Sequence, residues 1–151
     1  MKADWTQLKY LNQKMNWGEP EKMHPTFLYT LDSWCVFEKK GIFITPHGGT
    51  KGEHATKSLH YNGMAGDFVV LGSSRDELVD LFISLTRFPF TEIGIYPNWK
   101  YNEKVVGGFH VGLDNSQLMV RTKLWIGVAD SKGNNNYVGV NLANLKAYKL
   151  I

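Results

Sequence analysis

The sequence predicts an α+β domain with helices packed on a mainly antiparallel sheet, and three observations lead there. Apolar residues recur at helical intervals early in the chain, short apolar or alternating runs dominate later, and no linker rich in Pro or Ser divides the chain. A chain of 151 residues has room for one core but not comfortably for two, so residues 1–151 read as a single domain.

Trp5, Leu8, Leu11 and Met15 stand at helical intervals and predict a short amphipathic helix over residues 5–15. Pro25 reads as the first-turn proline of a second helix through FLYTLDSWCVFEKK, with Gly41 as its stop. GIFIT (41–45) is a strand, residues 46–57 a polar loop rich in Gly and His, and GDFVVL (66–71) a buried strand. Ser74 and Glu77 form a capping box opening a helix whose core face is Leu78, Leu81, Phe82 and Leu85. Strands are expected at 92–96, 109–113, 118–126 and 137–140, with a turn at Gly133–Asn136. The tail, residues 118–151, reads as added strands.

Composition narrows the function. The net charge of +3 is small and no run of Lys and Arg forms a patch, so nucleic acid is not an expected partner. The single cysteine, Cys35, excludes an internal disulfide and any multi-cysteine zinc framework, and its apolar setting suits a small buried hydrophobe. The N-terminal segment MKADWTQLKYLNQK lacks the apolar centre of a signal peptide, and no run approaches the ~20 apolar residues of a membrane span. Cytoplasmic synthesis and no stable membrane association are therefore expected; a monomer is also expected, though not on these grounds.

The chemistry concentrates in SLHYNGMAGDF (58–68). His60 and Asp67 stand seven residues apart with Gly63 and Ala65 between them, which lets a loop pass close to an ion and enter a strand. A third ligand is expected from a neighbouring strand. GGFHVGLD supplies His110 in an alternating pattern where Phe109, Val111 and Leu113 face the core and His110 faces the other way. Two imidazoles and one carboxylate suit Zn2+ and leave a fourth tetrahedral position open, the geometry of catalytic sites. Gly48 and Gly49 do not form a phosphate loop, because the Lys-Ser/Thr ending is missing.

The pattern Ser58-x-His60-x-x-Gly63-x-Ala65-x-Asp67 resembles the signature of zinc D-alanyl-D-alanine carboxypeptidases and of phage endolysins that cut L-alanyl-D-glutamate bonds. IGIYPNW (93–99) followed by GGFHVGLD is similar to that family's glycine-tyrosine-proline turn and terminal histidine strand. HATKSLHYNGMAGDF is similar to the amino-terminal signalling domain of hedgehog proteins, which shares the fold and carries a further histidine six before the first ligand, as His54 stands here. The resemblance covers residues 41–114. It implies a hedgehog/DD-peptidase-like fold, zinc on His60, Asp67 and His110, and hydrolysis of a peptidoglycan stem peptide, with action on the wall after release from the cell or delivery by a phage.

Two departures stand out. Where bacterial members carry Ser-Gly-Tyr-Arg, this chain reads Thr45-Pro46-His47-Gly48, so Lys51 or His54 is the expected cationic donor. Where many members place a glutamate as general base, this chain has Gly107. Glu103, seven before His110, stands near where hedgehog-like members carry a glutamate, so the resemblance makes it the expected base; the rival Asp114 lies four strand residues from His110, ~13 Å at ~3.3 Å per residue. His54 is expected to stabilise the transition state and Tyr96 to line the substrate groove. The vacant positions also support a second reading, a zinc-containing module that kept the fold and lost catalysis. A third is a metal-free wall or carbohydrate binder working through surface aromatics.

Overall fold

The computed structural model describes residues 2–114, 116 and 122–151. It is a mixed α+β fold. Eight strands form in chain order: β1 (Ile42–Ile44), β2 (Ala65–Val70), β3 (Glu92–Tyr96), β4 (Lys100–Tyr101), β5 (Lys104–Val105), β6 (Gly108–Gly112), β7 (Lys123–Ala129) and β8 (Asn135–Gly139). The helices are α1 (Pro25–Glu38), α2 (Leu78–Leu85) and α3 (Leu142–Ala147). Six strands form one sheet in the order β1-β2-β6-β3-β7-β8, and β4 pairs with β5 apart from it. Every neighbour in the large sheet is antiparallel except β3 and β7.

Strand alternation sorts the sheet into two faces. Phe68, Phe109, Ile95 and Ile126 are successive partners across the strands and all are buried. They meet Phe27, Leu28, Leu31 and Trp34 of α1 and the expected Leu78, Leu81, Phe82 and Leu85 of α2 in one core. One residue along, the partners Asp67, His110, Gly94 and Trp125 present the opposite face. That second face carries the site.

Pro25 opens α1 as expected, and His24 caps it by accepting the Thr26 N–H on Nδ1 at 3.3 Å. Its end differs from expectation: Lys39, in the left-handed region at φ 56°, closes the helix two residues before Gly41. The Ser74–Glu77 box forms, with the Ser74 N–H donating to Glu77 Oε2 at 2.8 Å, and spans one 3₁₀ turn that runs directly into α2.

The expected helix over residues 5–15 is only a 3₁₀ turn, Trp5–Gln7. The cause is the buried Asp32 of α1. Its carboxylate accepts the N–H groups of Lys9, Tyr10 and Leu11 at 2.9, 2.8 and 3.0 Å, donors that a helix would direct to its own carbonyls. The apolar pattern still reports burial, since Leu11 is buried and Trp5, Leu8 and Met15 pack against the core.

The tail is not all strand. After β8, Asn141 accepts the Asn144 N–H at 2.9 Å and starts α3. Arg75 holds the end of that helix, donating to the carbonyls of Tyr148 and Lys149 and also to that of Pro97. The strand expected at 118–126 falls in part on residues 118–121, outside the described residues; its described portion lies in β7, which runs on to Ala129. Among the described residues no helix is long and apolar enough to cross a membrane.

Candidate metal centre

The loop between β1 and β2 is pinned to the strand that carries Asp67. The Asp67 N–H donates to Gly48 O at 2.9 Å, and the Asp67 carbonyl accepts the Thr45 N–H at 3.0 Å. A Cβ at Gly48 would lie 2.3 Å from the Asp67 carbonyl, so the loop reaches β2 only with glycine there. Ser58 then caps a 3₁₀ turn, Leu59–Asn62, which presents His60 from beneath that loop.

His60, Asp67 and His110 converge. His110 is the direct cross-strand partner of Asp67, and its Nδ1 lies 2.7 Å from Asp67 Oδ1. His60 Nε2 lies 3.2 Å from His110 Nδ1 and 3.3 Å from Asp67 Oδ1. Ligands ~2.0–2.1 Å from one tetrahedral ion are about 3.3 Å apart, so these three donor atoms nearly have the required separation. The other nitrogens of the two rings are held from behind. His60 Nδ1 lies 3.0 Å from the Gly49 carbonyl, and His110 Nε2 lies 3.4 Å from Glu92 Oε2. Such partners fix the tautomer and turn the remaining lone pair toward an ion.

His54 joins the cluster. Donor atoms of His54, His60 and Asp67 lie within 4.8 Å of one another and can hold a metal ion. Its ring stacks on His60, with centroids 3.9 Å apart and planes 6° from parallel. Its Nε2 is buried without a hydrogen-bond partner among the described residues, an arrangement that costs free energy unless something binds there.

Electrostatics follow from this crowding. Burial opposes charge on His110, but donation to Asp67 and Glu92 outweighs it and raises its pKa to about 9. Burial alone would raise the Asp67 carboxyl; donation from the His110 and His60 rings instead holds it well below the usual carboxylate range. The hydrogen bond from His110 likewise lowers Glu92. Burial, followed by the neighbouring His60, lowers His54.

The cluster opens into a cleft of about 540 Å³ lined in part by His47, Glu53, Lys57, Tyr96, Trp99 and Tyr137. Tyr96 is placed there as expected, buried, stacked on Trp99 at 4.2 Å, and with its hydroxyl raised by burial. Lys51 and Glu103 are not among the lining residues. Lys51 is exposed and packs against Gly18, while Lys57 is the lysine of the cleft. Glu103 sits at the exposed tip of the β4–β5 hairpin, where Asn102 and Glu103 both adopt positive φ, 48° and 65°. A two-residue turn of that hand explains the placement, and the tract YNEK is its only sequence signal. Gly107 cannot readily carry a glutamate: its φ is +74° and a Cβ would lie 2.2 Å from Leu78 Cδ1. Sequence reasoning missed Glu92, whose position two residues before Gly94 on β3 became meaningful only once β3 paired with β6.

Comparison of the sequence with known protein families and with curated proteins finds no match.

Proposed function

We propose that this chain is a zinc-dependent peptidase that hydrolyses peptidoglycan stem peptides, with a hedgehog/DD-peptidase-like fold. The observation that carries the reading is the convergence of His60 Nε2, Asp67 Oδ1 and His110 Nδ1 in an open cleft.

These three are the proposed ligands, and ring orientation favours His110 over His54 as the third. Lone pairs lie in the imidazole plane. The His54 and His60 rings are stacked nearly parallel, so an ion in the plane of one lies out of the plane of the other, whereas the His110 ring is inclined 61° to His60. The donor set of two histidines and a carboxylate is of the catalytic zinc type, and the orphaned His54 Nε2 lies beside it. Zinc, when bound, supplies a Lewis acid for a scissile carbonyl and lowers the pKa of water at the site.

The chain's own residues supply the rest. Gly49 O and Glu92 hold the His60 and His110 rings in place. His54 stacks on His60 beside the proposed ligands, and its Nε2 is buried without a partner among the described residues. That placement lets His54 exchange a proton with a group bound in the cleft or, as expected from the sequence, donate to a developing oxyanion. Lys57, lining the cleft, takes the cationic role expected of Lys51.

The test is incubation of zinc-loaded protein with peptidoglycan from several wall types, with new stem-peptide termini sought by mass spectrometry. Cleavage that is lost on chelation supports the proposal; absence of cleavage by fully metallated protein refutes it. A second reading, the zinc module without catalysis, draws on Glu103 lying outside the cleft and Gly107 being closed to a glutamate. It predicts full metal loading with no cleavage.

A further inference from the structure

The donor cluster occupies one end of the cleft, and the other end is floored by aromatic rings resting on glycines. On this face of the sheet glycine and aromatic residues interleave. Gly94 pairs with Trp125, and a Cβ there would lie 2.5 Å from the indole. A Cβ at Gly127 would lie 2.3 Å from the Tyr96 ring, and one at Gly108 would lie 2.4 Å from Trp99. Each ring therefore lies directly on backbone, which is what glycine within a strand permits.

At the far edge the floor is open. Gly139, the partner of Trp125, would meet nothing within 4 Å, and Tyr137, the partner of Gly127, is 60% exposed. Asn135 lines the same stretch and brings a hydrogen-bonding edge. The shelf begins close to the donors, with the His110 and Trp125 ring centroids 5.2 Å apart.

We propose that the shelf made by Trp125 and Tyr137 binds a pyranose ring of the glycan strand. Aromatic rings beside polar side chains in one cleft complement a ligand that has an apolar face and hydroxyl or amide edges, as a sugar ring does. An aliphatic side chain would be better buried in a closed pocket than on an open shelf. The inference rests on the peptidase reading for the identity of the polymer, and not for the binding itself.

The test is a tryptophan-fluorescence titration with the tetramer of N-acetylglucosamine, run with zinc-loaded and chelator-treated protein. Saturable binding indifferent to the chelator is expected. Tyr137→Ala, at an exposed position that the fold tolerates, weakens it about tenfold, and Tyr137→Phe retains it. No saturable signal, equal affinity of Tyr137→Ala, or equal displacement by a sugar-free stem peptide overturns the proposal. A protein that binds the tetramer but cuts no stem peptide supports the shelf and refutes the peptidase. One that cuts stem peptides but ignores the tetramer overturns the shelf alone.

Discussion

Glu92→Gln isolates the support behind the proposed ligands without touching them. Glu92 Oε2 is 3.4 Å from His110 Nε2, a long contact, and its other oxygen is 3.5 Å from Lys123 Nζ. Carboxylates that orient a ligating histidine are worth roughly 10–100-fold in metal affinity. The length of this contact and the 24% exposure of the side chain place Glu92 at the lower end. The expected loss is about tenfold, or ~1.4 kcal/mol. Competition against a chromogenic chelator measures it, with Glu53→Gln as the control, because Glu53 lines the cleft without a described contact to a proposed ligand. Affinity unchanged in Glu92→Gln, or an equal loss in Glu53→Gln, would refute the reasoning.

Three further outcomes are expected. In chelator-treated protein the raised pKa of His110 contributes stability that is fully present below its ordinary value of 6.5 and lost as pH rises through about 9, so Tm should fall across that window. Zinc-loaded protein should not show that loss, because protons and metal compete for the same nitrogens, and thermal melts on both forms check it. Asp32→Asn leaves one oxygen for the three backbone N–H groups of Lys9, Tyr10 and Leu11 and should cost about 2–3 kcal/mol in urea unfolding. Gly107→Glu, which restores the general-base position of the resembled peptidases, should destabilise by roughly 2–4 kcal/mol through the Leu78 clash and positive φ, with no gain in cleavage. A stable, faster enzyme would contradict that account of the position.

Periodicity made α1, α2 and the inward face of the sheet legible, because burial leaves a repeat that Leu78, Leu81, Phe82 and Leu85 carry openly. The residues at 5–15 carry the same repeat but are straightened by Asp32, a partner more than twenty residues away that no local window contains. The site was legible to the extent that its residues lie in one motif or one alternating strand: His60, Asp67 and His110. The resemblance points to Glu103 by position along the chain alone, and the Asn102–Glu103 turn places it at the surface. Glu92 and the glycine-backed aromatic floor could not be read from spacing, since they exist only through the registers of β3 with β6, of β3 with β7 and of β7 with β8. The C-terminal helix had a signal in Asn141 followed by the helix-forming LANLKA, but a short apolar run reads equally as strand.

The central claim is one zinc held by His60, Asp67 and His110. Elemental analysis combined with X-ray absorption at the zinc edge of purified protein tests it most directly. One zinc per chain is expected, with nitrogen and oxygen neighbours at ~2.0–2.2 Å and no sulfur, and that metal is lost in His60→Ala and His110→Ala. Iron in place of zinc, or variants that retain zinc at the wild-type level, would contradict it.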